Sequence, residues 1–248
     1  MEMKQMQRIC VLGLCIMLLQ FSAYGQENSL EWSIETQRAV FYAGEPVLLI
    51  VTIKNAGAKE EKIDFGMDGL EAFSFEIHDL KDSMMAKGSK IQKFGLSRIG
   101  TLLVPAGKEA QKCIVLNEWC STLLEPGEYR IVCDVDYRLR SESTKKENSN
   151  VFKAGPVHKI QLSLAIQIID MNVKEFNRIL EDLAALEIQP KTLTKQDWLA
   201  QRDIAREMLA FTESKLAVPY QLRLLRNDPY TWFCTDVVNS LVKSGTLE

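Results

Sequence analysis

Between Lys159 and Ile168 the chain reads KIQLSLAIQI, in which Ile160, Leu162, Leu164, Ile166 and Ile168 alternate with Gln161, Ser163, Ala165 and Gln167. A period of two puts every apolar side chain on one face of an extended strand, whereas a helix would scatter them around its circumference. Such a strand has one face to bury, so another layer must pack against it. The same period recurs upstream. LEWSIE aligns Leu30, Trp32 and Ile34, VLLIVTIKN aligns Val47, Leu49, Val51 and Ile53, and FSFEIHDL aligns Phe73, Phe75 and Ile77. Turn residues at Gly44-Glu-Pro46, Asn55-Ala-Gly57, Pro105-Ala-Gly107, Pro126-Gly127 and Gly155-Pro156 separate the runs. Short links favour antiparallel neighbours, so residues 26–170 read as an antiparallel β-sandwich.

After Asp170 the period becomes helical. Asn172 and Glu175 stand in the N-cap and N3 places of a capping box, ahead of an apolar stripe of Phe176, Ile179, Leu180 and Leu183. Thr194 and Asp197 open a second helix with Trp198, Ile204, Met208 and Leu209 on its buried side. LAVPYQLRLLR supplies a third, and a fourth is expected after Asp228 as N-cap with Pro229 at the first helical position. Short loops predict helical hairpins over 171–248.

The first 25 residues are a different material. Lys4 and Arg8 precede the apolar run Ile9–Leu19, and Ala23 and Gly25 follow as small residues three and one places before a cleavage point. That order predicts a signal peptide over 1–25 and an exported, periplasmic or extracellular protein. The run is too short for an ordinary membrane-spanning helix, and no integral span is expected after its removal. The remaining 28 basic and 32 acidic residues give a net charge of −4, without the long basic run of a nucleic-acid footprint.

Export bears on the cysteines left after cleavage, Cys113, Cys120, Cys133 and Cys234. An oxidising compartment permits disulfides in any of three connectivities, with buried free thiols as the other reading. Their spacing fits no paired C-x₂₋₄-C zinc pattern. Cys120 lies in LNEWCSTLLEPGEYRIVC, the stretch that looks most like chemistry. As a nucleophile it would need His78 or His158, the only histidines, as its base. His78 follows Ile77 out of register with the core, and His158 is placed opposite the Ile/Leu face of its strand. The expected alternative is a sandwich corner: LNEW as a strand end with Trp119 packed inside, EPG as a turn, and YRIVC as a strand with Tyr129, Ile131 and Cys133 on one face.

Asp134 and Asp136 share the other face of that strand. Calcium wants six or more oxygens, and no dense Asp/Asn/Gly loop supplies them, so the expectation is a solvated face compensated by Arg130 and Arg138. DFGMDG (64–69) reads as a loop, since no other kinase part accompanies its tripeptide. Lys145-Lys146 lies in the apolar-free, solvated stretch SESTKKENSN. Trp32, Trp119, Trp198 and Trp232 are read as core or inter-domain wedges.

AREMLAFTESKLAVPYQLRLLR (205–226) resembles a HEAT repeat of the bacterial subtype in which AVP opens the second helix. The resemblance is carried by Ala205, Leu209, Ala217, Val218, Pro219, Leu222 and Leu225. Solenoids need about three repeats, so either the sandwich or a partner must cover these helices. YAGEPVLLIVTIKNAG, LVPAGKEAQKCIVLN and LEPGEYRIVCDV resemble bacterial secreted immunoglobulin-like domains. The same trio is similar to small bacterial intracellular proteinase inhibitors. These resemblances imply an immunoglobulin-like sandwich followed by a HEAT-like unit, acting as a non-enzymatic protein-interaction or cell-envelope scaffold. A protein partner of unidentified kind is expected, with no nucleic acid, no cofactor and no metal. A secreted peptidase inhibitor is the alternative, and a cysteine-dependent hydrolase the third reading.

Overall fold

The computed structural model describes residues 29–66, 71–88, 100–119, 124–140, 156–227 and 234–243. Its strands are β1 (Leu30–Thr36), β2 (Val40–Tyr42), β3 (Leu48–Asn55), β4 (Glu61–Asp64), β5 (Phe73–Asp79), β6 (Met84–Gly88), β7 (Thr101–Val104), β8 (Glu109–Val115), β9 (Gly127–Leu139) and β10 (Val157–Ile169). The helices α1 (Val173–Ala185), α2 (Lys195–Ala210), α3 (Val218–Asn227) and α4 (Cys234–Lys243) follow.

Two sheets divide the strands. One has three strands in the order β1-β3-β8. The other runs β2-β10-β9-β4-β7, with β5 also on β9 and β6 on β5. At thirteen residues, β9 carries β10 along one side and two shorter strands end to end on the other. Ile63 pairs with Leu139 from β4, and Phe73 pairs with Val135 from β5. Alternate side chains from both sheets meet in one core, among them Leu49, Val51, Ile53, Ile63, Phe75, Ile77, Ile131, Cys133 and Val135. Burying a large aliphatic or aromatic side chain contributes about 1.5–3 kcal/mol, so this face-to-face layer is the main stabilising term.

The antiparallel expectation holds with one correction: β2 runs parallel to β10, through Gln167↔Val40, Ile168↔Phe41 and Ile169↔Tyr42. Parallel neighbours need a long crossover, and here nearly the whole sandwich separates the two strands in sequence. The three residues between β1 and β2 carry the chain from one sheet to the other. Arg38 fixes this step. Its guanidinium lies 5.0 Å from the Phe41 ring and pairs with the Glu45 carboxylate, which is only 3% exposed. Burial holds Arg38 below its ordinary pKa. Glu45 Oε2 also accepts the Tyr42 N–H at 2.9 Å.

A second staple closes one end of the sandwich. The fully buried Asn55 donates through Nδ2 to the carbonyls of Lys59 (2.7 Å) and Val104 (2.9 Å), and its Oδ1 accepts the Gly57 N–H at 2.9 Å. Its own N–H donates to the Lys108 carbonyl and its carbonyl accepts from Gly107, each at 2.9 Å. One side chain thus satisfies the turns after β3 and β7 together. Gly57 is required there because an added Cβ would lie 2.6 Å from Ser29 Cβ.

The helices sit on the sandwich. Leu48 and Val115, paired across β3 and β8, point away from the inter-sheet core and pack with Met208 of α2. Ile204, Phe211, Leu183 and Cys113 surround that contact. Tyr42 and Met171 join the helical core of Phe176, Leu180, Leu209 and Leu224, with the Tyr42 and Phe176 rings 6.5 Å apart. The cover that the helices need therefore comes, at least on this side, from the sheet. Both caps form as the sequence indicates: Asn172 Oδ1 accepts from Lys174 and Glu175 N–H, and Thr194 Oγ1 from Asp197 N–H. Asp228 and Pro229 lie outside the described residues, within which the fourth helix begins at Cys234.

Candidate functional site

Odd-numbered residues of β10 and even-numbered residues of β9 face outward from the seven-stranded sheet, and most of that face neutralises itself. Lys159 Nζ meets Asp136 Oδ2 at 3.0 Å, Gln161 Nε2 donates to Asp134 Oδ1 at 2.9 Å, and Lys87 Nζ meets Glu76 Oε1 at 2.9 Å. The compensation of Asp134 and Asp136 thus comes from β10 rather than from Arg130 and Arg138, because the register sets Gln161 and Lys159 directly opposite the two acids.

The face is indented at one end. Moving across the register, Val40 of β2 neighbours Gln167 of β10, which faces Glu128 of β9; one row in, Ala165 faces Arg130, which faces His78 of β5. Ala165 and Ser163 are short where Lys159 and Gln161 are long, so the sheet surface sinks. The turn between β5 and β6 rises beside it. Asp79 Oδ1 accepts the N–H of Lys81 and of Ser83, each at 2.8 Å, and Asp82 takes a left-handed φ of 62°. The result is an open cleft of about 550 Å³ lined by Val40, Leu80, Asp79, Asp82, Glu128 and Arg130 over the Ser163/Ala165 floor.

Its electrostatics are set by few contacts. Arg130 Nη2 is bound to Asp82 Oδ1. His78, with its side chain 13% exposed, lies between Glu76 (Nε2···Oε2 3.4 Å) and Asp82 (Nδ1···Oδ1 3.5 Å). Glu76 is held below the ordinary carboxylate range, first by the hydrogen bond from Lys87 and then by His78. Tyr129 is raised by burial, and secondarily by Glu125 and Asp79; its hydroxyl donates to the Glu125 carbonyl at 2.9 Å. Leu80 stands 76% exposed at the crest of the turn, with Met84 and Met85 exposed beyond it. The arrangement can grip a side chain between apolar flanks and set a charge beside carboxylates.

The residues singled out in the sequence fall elsewhere. Cys113 and Cys133 are free thiols. Cys113 and Cys133 belong to different sheets, and Cys113 faces the helices rather than the core, so the two do not approach. Burial raises the Cys113 thiol and pushes Cys133 up to about 12. Cys120 lies outside the described residues, as do residues 1–28, Lys145, Lys146 and Trp232. His158 corrects the expectation: its register partner is Tyr137 and the two rings stack with centroids 5.2 Å apart. Residues 158 to 168 of even number share one face, so His158 belongs with Ile160, not opposite it. LNEW is a 3₁₀ turn over Leu116–Glu118 rather than a strand end, and Trp119 is buried against Phe75, ring centroids 5.2 Å apart. Trp32 packs on Phe65 and Tyr137, and Trp198 donates from Nε1 to the Leu186 carbonyl at 2.8 Å. In DFGMDG, Asp64 ends β4, Phe65 is buried and Gly66 has a φ of 88°. Among the described residues no group of three His, Cys, Asp or Glu is placed to hold a metal ion. No helix among them is long and apolar enough to cross a membrane.

Sequence reasoning missed the cleft. Its signal was faint: Ser163 and Ala165 interrupting the long polar positions of β10, and Leu80 in a polar turn.

No protein-family model matches the chain, and no curated protein matches it. Among solved structures it is similar to the CARDB domain of a Pyrococcus furiosus protein in complex with di-metal ions, at 14% identity over 60% of this chain and 97% of that one, with a TM-score of 0.28. It is similar to a PapD-like domain of human CEP192 at 14% identity, covering 61% of this chain and 93% of that one, with a TM-score of 0.28. It is also similar to the sporulation control protein Spo0M of Bacillus subtilis at 14% identity, covering 63% and 56%, with a TM-score of 0.29. Likeness at this level assigns neither activity nor ligand to the chain.

Proposed function

We propose that the protein is an exported, non-enzymatic interaction module, an immunoglobulin-like sandwich backed by a HEAT-like helical unit, that engages a protein or cell-envelope partner through the outer face of its larger sheet. The observation that supports this reading is the gathering of exposed Leu80, Met84 and Met85 on one hairpin beside the cleft, on a face otherwise neutralised by its own ion pairs. Exposed apolar side chains collected in one place mark contact surfaces. A photoreactive amino acid at Leu80 or Met85 tests it in cells expressing the whole chain. Irradiation should give a discrete adduct at both positions and none at Lys54, exposed on the other sheet. Absence of an adduct at both, or the same adduct at all three, overturns the reading. Export is checked separately: the mature protein should begin at Gln26, and an uncleaved cytoplasmic protein refutes it.

A further inference from the structure

We infer that the cleft between Val40 and Leu80 seats an extended peptide segment of the partner protein, carrying apolar side chains with a Lys or Arg two residues from them, on the same face; this specifies the partner chemistry for the interaction reading above and rests on it. The cleft volume of about 550 Å³ falls within the ~300–1,000 Å³ typical of ligand sites. A helix about 10–12 Å across is too thick for so shallow a trough, whereas an extended segment presents alternate side chains to a surface. The floor is lowest at Ala165 and Ser163, with Gln167 beside Val40. Val40 and the turn stand three strand spacings apart, about 14 Å, so an extended segment laid across the cleft can set one apolar side chain against Val40 and another, four residues on, against Leu80.

Charge selects the side chain between them on the same face of the segment. Asp79, Asp82 and Glu128 line the cleft against Arg130 alone, a net charge of −2. These groups are not equally available. Arg130 is bound to Asp82, and Asp79 Oδ1 is held by two turn amides. The Glu128 carboxylate has no hydrogen bond or ion pair among the described residues. An incoming ammonium or guanidinium therefore meets an uncommitted carboxylate at Glu128, while an incoming carboxylate would have to draw Arg130 away from Asp82. Acidic segments are disfavoured by the same geometry.

Fluorescence anisotropy on the full chain tests this with a labelled pentapeptide carrying Val or Leu at its first and fifth positions, Lys or Arg at the third and Ser between them, and a counterpart carrying Glu at the basic position. The basic peptide should bind saturably and weaken as salt rises, since an exposed ion pair is screened. Glu128→Gln should weaken it about threefold, the scale of one exposed pair. Ala165→Trp, which fills the floor, should weaken it more than tenfold. Asp136→Asn, on the same face outside the cleft, should change nothing. The substituted positions are exposed, and thermal unfolding confirms that each variant is folded; if Ala165→Trp is not, Glu128→Gln decides. Equal binding of the acidic peptide, no saturation, or indifference to both cleft variants overturns the inference. A dimer that sediments as such and dissociates in Ala165→Trp would give the cleft to a second copy and overturn it also. If the peptide fails while the Leu80 adduct forms, the cleft assignment falls and the interaction reading stands.

Discussion

Replacing Asn55 by Ala removes one side chain that serves two turns. Its amide donates to the Lys59 and Val104 carbonyls and its oxygen accepts from Gly57 N–H. A hydrogen bond contributes about 0.5–1.5 kcal/mol net, so three give about 3 kcal/mol. The Val104 bond is buried, and a buried carbonyl left without a partner costs about 1–3 kcal/mol, which sets the upper end near 5 kcal/mol. Against a total stability of roughly 5–15 kcal/mol that is a large fraction. For a domain of this size each kcal/mol moves the midpoint by about 2–4 °C, so Asn55→Ala should melt roughly 10 °C lower by calorimetry. Asn117→Ala is the internal control. Asn117 accepts the Val47 N–H at 2.7 Å and donates only a long 3.4 Å bond to the Glu45 carbonyl, so its loss should cost about 1 kcal/mol. Asn55→Asp should be worse than Ala at neutral pH, because a carboxylate would face two carbonyl oxygens. The fold would then raise that carboxyl above its unfolded value of about 4, so the deficit should shrink as pH falls through the raised value and the acid regains a donor. An Asn55→Ala midpoint within about 2 °C of the parent, or no difference between Asn55 and Asn117, would refute the reasoning.

Other consequences can be measured directly. Met208→Asp places a charge against Leu48 and Val115, and should split thermal unfolding into a helical and a sheet transition; a single unshifted transition means the seat is not coupling them. Cys133, pushed up to about 12 by burial, should resist iodoacetamide at pH 8 in the native protein and label fully in urea, read by peptide mass spectrometry. Equal labelling in both states contradicts its placement. Glu76 is depressed in the fold, so its contribution is present above the unfolded value of about 4.3 and is lost as pH falls through the depressed one. Glu76→Gln should therefore flatten the acid limb of the stability curve, and an unchanged limb counts against the Lys87 contact.

The strands were legible wherever one face is buried, because burial imposes the period of two that β1, β3, β5 and β10 carry in plain sight. Helix caps were legible for a similar reason: Asn172 and Thr194 do their work within four residues of themselves. The parallel β2 was not, since three residues bear no period and their partner lies at the far end of the sandwich. His158 was misplaced although its even number already assigns it to the face of Ile160; Tyr137 as its neighbour is a fact of register that sequence does not state. The cleft was hidden for the opposite reason from the core. Its members, Val40, Leu80, Glu128, Arg130 and Ala165, come from three strands and a turn, and each alone reads as an ordinary surface residue.

The pairing of β2 with β10 has a mechanical consequence. The chain reaches β2 from the N-terminal strand and leaves β10 toward the helices, and the two strands run the same way. Tension between the N-terminal strand and the helical unit would pull them in opposite directions along their own axes. The rungs from Val40 to Tyr42, with the flanking bonds from Gln167 N–H to Ala39 and from Ala43 N–H to Ile169, are then loaded in shear, all at once. The β9–β10 hairpin would instead open rung by rung if its ends were drawn apart. The shortest strand among the described residues is thus placed where stretching the chain would be resisted first.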